Sequence, residues 1–154
     1  MPEPAAGSDG LLDTALGLLA RREHSLRELR AKLTLRGHEA ATIEAVLDEL
    51  SARGLVSDER FAEAFLRSRL ERGQGPLKIR AQLRERGVAP GLIDAALGEA
   101  EIDWDRRAAA ARSKRFGNSA PADRNEMARQ ARFLRGRGFS EAQVARAVLS
   151  EAGR

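Results

Sequence analysis

At 154 residues with no cysteine, the chain has the length of one ordinary domain and can hold neither a disulfide, nor a thiolate metal site, nor a thiol nucleophile. Hydrophobic residues make up 42%, but five Phe, one Trp and no Tyr are the whole aromatic complement, so the core must be Leu, Ile, Val and Ala; sparse β-branching favours helices. The formal net charge of +4, from 27 basic and 23 acidic residues, selects no partner by itself, and no stretch approaches the roughly 18 apolar residues of a membrane span.

Residues 1–10 are small and polar, with neither the basic nor the apolar region of a signal peptide, and are expected to form a disordered tail in a cytoplasmic protein. Leu12, Leu16 and Leu19 predict a first helix from Leu11 to Arg22. Ser25-Leu26-Arg27-Glu28 reads as a capping box, opening a second helix whose buried stripe is Leu26, Leu29 and Leu33 and whose stop is Gly37. Ile43, Val46, Leu47 and Leu50 mark a third helix near Ala40 to Ser51. After a loop over Gly54 to Ser57, the cap Ser57 and the acids Asp58 and Glu59 open a helix to Arg72 carrying Phe61, Phe65 and Leu66. Gly73-Gln74-Gly75 is a tight turn, because no strand precedes it and no GKS or GKT follows, as a phosphate cradle would need. Pro76 then takes the first helical position, Ile79 and Leu83 form the stripe, Gly87 is the stop, and a further helix spans Pro90 to Ala100. The last three helices are expected from Trp104 to Phe116, from the cap Asp123-Arg124-Asn125-Glu126 to the stop at Gly138, and from Ser140 to Ala152, with the longest loop over Gly117 to Ala122.

These nine helices are three copies of one pattern. A shift of 50 residues lays Arg30, Ala31, Leu33, Arg36 and Gly37 on Arg80, Ala81, Leu83, Arg86 and Gly87; a shift of 51 carries Leu83, Arg86 and Gly87 onto Leu134, Arg137 and Gly138. The fold class is therefore all-α, with three tandem three-helix repeats at residues 11–56, 57–102 and 103–154. A 50-residue repeat has a thin core, so neighbours should share buried surface and form an elongated, curved rod.

No catalytic constellation is present. His24 and His38 lie beside a cap and past a helix end, with no metal-binding motif around them, and surface or capping roles are expected. No catalytic residue, metal or cofactor is assigned. Trp104 and the five Phe fall at apolar helix positions and are expected in the core rather than on a base-stacking platform. The charge is unevenly placed: Arg106 to Arg137 holds ten basic residues against Asp123 and Glu126, whereas Glu39 to Glu49 holds acids alone. Such asymmetry suits a polyanion or a charged protein groove.

The stretch ALGLLARREHSLRELRAKL over Ala15 to Leu33, and the stretch from Gly54-Leu55-Val56-Ser57-Asp58-Glu59-Arg60-Phe61-Ala62 to Gly73-Gln74-Gly75-Pro76-Leu77-Lys78-Ile79, resemble the RecX family. Similarity runs from Leu11 to Leu149 and weakens after Trp104. The resemblance implies a cytoplasmic regulator that lies in the groove of the RecA filament on single-stranded DNA and restrains recombinase, ATPase and coprotease activity, and so the SOS response. A monomer is expected, with weak, sequence-independent contact to single- or double-stranded DNA. Two other readings stay open: a helical module that binds DNA directly, and a plain helical scaffold. The residues expected to meet the filament are Lys78, Arg84, Arg129, Arg132 and Arg135. Arg80 and Arg86 are set aside because they recur as Arg30 and Arg36 and are expected to cover the core with their stems.

Overall fold

The structure is a computed structural model and describes residues 8–152. Among the described residues there are nine α-helices and no strand: α1 (Ser8–Arg21), α2 (Leu26–Leu35), α3 (Ala40–Ala52), α4 (Asp58–Glu71), α5 (Pro76–Glu85), α6 (Pro90–Glu99), α7 (Trp104–Phe116), α8 (Arg124–Gly136) and α9 (Glu141–Ala152). Helix α1 takes in Ser8 to Gly10, which the composition assigns to the tail; the rest of that tail lies outside the described residues.

The expected caps set the starts. The Ser25 hydroxyl accepts from the Glu28 N–H at 3.1 Å while the Glu28 carboxylate accepts from the Ser25 N–H at 3.2 Å, so two of the donors orphaned at a helix start are satisfied reciprocally. Asp123 caps α8 by accepting from the Glu126 N–H, and Asp103, which the sequence reading did not single out, caps α7 by accepting from the Arg106 N–H. The stops Gly37, Gly87 and Gly138 have φ of 83°, 81° and 98°, where a side chain would be strained.

Packing divides the chain into two compact units. The first runs to Phe65 and includes Leu83–Ile93; the second joins Leu66–Gln82 to everything from Asp94 onward. In the first, Leu11 and Ala15 of α1, Leu29 and Leu33 of α2, Ile43, Val46, Leu47 and Leu50 of α3, and Val56 form an aliphatic core. In the second, Ala108, Leu134, Phe139, Val144, Ala147 and Val148 form the core, with Trp104 and Phe133 packed against it and only partly buried. The aromatic expectation thus holds for the buried Phe61, Phe65 and Phe139 and, at the margin of the core, for Trp104 and Phe133, but not for the half-exposed Phe116. Phe116, the last residue of α7, instead packs edge-on with Phe133 of α8, with centroids 5.4 Å apart.

Inside each unit one seam joins the start of a middle helix to the end of the next repeat's middle helix. In the first unit the Ser25 hydroxyl, besides capping α2, donates to the Arg86 carbonyl at 2.7 Å, and a Cβ on Gly87 would lie 2.7 Å from the Arg27 side chain. In the second, the Gly75 N–H donates to the Arg137 carbonyl at 2.7 Å and the Leu77 N–H to the Gly138 carbonyl at 2.9 Å. Gly75 directly precedes α5 and Leu77 lies in its first turn, so neither N–H has an intrahelical acceptor. A Cβ on Gly75 would stand 2.5 Å from the Gly138 backbone, and one on Gly138 would collide with Lys78, so the approach requires both glycines. The pairs Ser25–Arg86 and Gly75–Arg137 are the same pair displaced by 50 and 51 residues.

Candidate partner-binding surface

Helix α8 presents Arg129, Arg132 and Arg135 to solvent, on the side opposite the buried Gln130 and Leu134. Residues three apart step back by about 60°, so the three guanidiniums form one ridge roughly 120° wide. Arg135 on one flank pairs with Glu141 at 2.6 Å, which raises its pKa. Arg129 on the other flank sits 3.4 Å from Glu126 and 5.4 Å from the Phe116 ring centroid. Arg132, in the middle, has no partner among the described residues. Lys78 is half-buried and donates to the Gly136 carbonyl at 3.2 Å, so it serves the seam as well as the surface. Arg84 is exposed and belongs to the first unit, whereas the other four belong to the second.

The recurring arginines have structural partners. Arg30 pairs with Glu44 at 2.6 Å, and Arg80 pairs with Asp94, the same bridge one repeat later. Arg86 lies 3.7 Å from Glu28 at the first seam and 4.7 Å from the Phe65 centroid. His24 departs from the surface role expected of it: it is 1% exposed, with Nδ1 3.1 Å from the Arg22 carbonyl and Nε2 2.8 Å from Lys32 Nζ, so the imidazole ties the α1–α2 corner to α2.

A groove of about 370 Å³ in the second unit was not foreseen. One wall is the end of α4 and the following turn, Leu70 to Gln74; the other is α7, with Arg107, Ala110, Ala111, Lys114 and Arg115; Phe133 and Arg137 close it from α8. Arg72, Arg107, Lys114, Arg115 and Arg137 face a single acid, Glu71. Arg107 and Arg137 each donate one N–H, at 3.4 Å, to the carbonyls of Leu70 and Arg72 at the C-terminal end of α4, where the helix dipole favours cations. Each guanidinium keeps further donors for a ligand. The Gln74 side chain lines the groove, 8% exposed, and its Oε1 has no hydrogen-bond partner among the described residues. The basic run of the sequence signals this charge. Which cations share a groove depends on the Gly73–Gly75 turn docking on Arg137, a contact across more than 60 residues.

Behind the groove lies a buried cation. Arg112 is fully buried, its Nε donating to Gln130 Oε1 at 2.7 Å and its Nη2 to the Ser119 carbonyl at 2.6 Å, while Gln130 donates onward to Glu126 at 3.3 Å. The chain of bonds links α7, α8 and the loop between them. Among the described residues no group of three His, Asp or Glu side chains could hold a metal ion, and no helix is long and apolar enough to cross a membrane.

Models of the RecX family match three stretches: the first three-helix domain over residues 12–50, the second over 57–97 and the third over 102–148. The regulatory protein RecX of Halorhodospira halophila is 53% identical, covering 97% of this chain and 93% of that protein. Its counterpart in Chromohalobacter salexigens is 48% identical over 88% of this chain and 89% of its own. The crystal structure of RecX from Lactobacillus salivarius superposes with a TM-score of 0.81 at 18% identity, covering 97% of this chain and 99% of that one, a likeness of fold.

Proposed function

The chain belongs to the RecX family, and from that premise we propose that it is a non-catalytic, cytoplasmic regulator that binds the RecA filament on single-stranded DNA and restrains its recombinase, ATPase and coprotease activities. The observation that supports a binding role is the α8 ridge: three guanidiniums on one exposed helix face, the central one, Arg132, without an intramolecular partner among the described residues. Arg129, Arg132 and Arg135, with Lys78 and Arg84, are the residues assigned to the contact. Residues 11–56, 57–102 and 103–154 would each make a separate contact, and three weak contacts joined in one chain bind far more tightly than any alone. A monomer suffices for this.

The test is DNA-dependent ATP hydrolysis by the cognate RecA, titrated with the wild-type chain and with Arg132→Glu/Arg135→Glu. Wild type should slow hydrolysis, and the double variant should inhibit less and with a flatter salt dependence at unchanged helicity. Equal inhibition by both would remove the ridge from the contact, and no inhibition by the wild type would end the reading itself. The unpaired Arg132 also suits direct phosphate contact; binding to naked single-stranded DNA with steep salt dependence, and no effect on RecA, would favour that alternative.

A further inference from the structure

The groove of the second unit lies outside the residues assigned above, and its chemistry is more selective than a basic surface. We propose that it takes an acidic peptide segment of a partner protein, one that carries an apolar side chain next to its carboxylates. The inference goes beyond the reading above and holds whichever protein supplies the segment.

Charge gives the sign of the ligand. Arg72, Arg107, Lys114, Arg115 and Arg137 converge on a space of about 370 Å³ with only Glu71 against them, and Arg72 and Lys114 have no side-chain partner among the described residues. A cavity of that size encloses one or two side chains, whereas a phosphodiester strand needs an open track.

Two further features separate a peptide from a nucleic acid. Phe133, the one aromatic in the groove, is already engaged rather than offered as a stacking platform: the Arg137 guanidinium lies 5.2 Å and the Arg115 guanidinium 6.0 Å from its centroid, and it packs edge-on with Phe116. Finally, Leu70, Ala110 and Ala111 give the groove an apolar strip between its cations, and that strip fits an aliphatic side chain beside a carboxylate.

The probe is a fluorescein-labelled peptide of about ten residues alternating aspartate and leucine, titrated by anisotropy at about 0.1 M salt, with the asparagine–leucine peptide and an oligothymidylate of similar length alongside. The wild-type chain should bind the aspartate peptide and neither of the others comparably. Arg72→Glu/Lys114→Glu should weaken that binding by roughly tenfold or more, and Ala110→Trp, which fills the groove without changing its charge, should do the same. Circular dichroism on both variants confirms that the helices persist; all three positions are on exposed residues or, at Ala110, on the solvent side of α7. Equal binding of the asparagine peptide, or full binding by Ala110→Trp, would overturn the proposal by showing that no enclosed acidic site exists. Tighter binding of oligothymidylate, lost in both variants, would overturn it in favour of a phosphate track.

Discussion

Leu29 in the first unit and Gln130 in the second occupy the same step of the repeat on a middle helix, and Ile79 stands there in the repeat between them. Leu29 joins a core that is aliphatic throughout; Gln130 holds a fully buried arginine. A buried cation bound only by neutral oxygens adds little to stability, because its desolvation consumes most of what its hydrogen bonds return. Its geometry is informative instead. Arg112 leaves α7 on the face opposite Arg107 and Lys114 and bonds to α8 one turn before Leu134, so it fixes α7, one wall of the groove, against α8, which closes it. The first unit is built for burial; the second gives up part of its burial to hold a polar surface in register.

The sharpest way to expose that difference is to cut into the aliphatic core. Leu33→Ala removes a fully buried side chain and should lower unfolding stability by about 2 to 5 kcal/mol, measured by urea denaturation. A loss below 1 kcal/mol would mean that the first unit does not depend on its core. Next comes Arg112→Ala, which strands Gln130 and the Ser119 carbonyl and should destabilise by roughly 1 to 3 kcal/mol. The decisive variant is Arg112→Met with Gln130→Leu: it restores an apolar core and should equal or exceed wild type by up to about 4 kcal/mol. If the double variant is as unstable as the single, the polar pair is a stability device and the contrast collapses.

The smallest effect is acidic. Burial first, and then the charges of Arg22 and Lys32, lower the His24 pKa below its ordinary 6.5 against the pull of the Arg22 carbonyl and Glu28. At Glu28 burial pushes upward, but hydrogen bonds from Arg22 and the Ser25 N–H, with the charges of Arg22 and Arg86, outweigh it and leave the carboxyl below 4.5. Both groups hold fewer protons folded than unfolded. Their stabilisation is therefore complete above the ordinary values and is lost as pH falls through the folded ones, His24 first. Melting temperature should drop between about pH 7.5 and 5, and His24→Gln should shrink that drop; an identical drop in the variant would place the acid sensitivity elsewhere.

The helices were legible because their signals are local. Ser25, Ser57 and Asp123 act within three residues, and Gly37, Gly87 and Gly138 carry the turn in their own backbone. The charge of the second unit was legible as well, since Arg106 to Arg137 is cationic by count. His24 was not, because a histidine two residues before a helix gives no sign that Lys32 will close over it. Gln130 breaks the stripe of Leu29 and Ile79, so the repeat comparison carries the clue, but its partner Arg112 lies on another helix and reads as one more surface arginine. The groove needed long-range information of the same kind: Arg72, Arg107 and Arg137 meet only because Gly75 has no side chain to keep the turn off Gly138.

The repeated seam also bears on how such chains change length. Gly87 and Gly138 are each filled by the start of the preceding repeat's middle helix, but among the described residues a Cβ on Gly37 would meet nothing within 4 Å, although its φ of 83° is positive as theirs are. The joint is thus a repeated fitting, with no described residue seated on its Gly37 copy. A duplicated repeat spliced ahead of residue 11 would find its receiving turn already shaped, and would need only a small residue with a free donor at its own Ser25 or Gly75 position. Gene duplication in steps of about 50 codons can then lengthen the array without redesigning any core, because the fitting is made of main chain and two or three cap residues, and the contents of each repeat are left to vary.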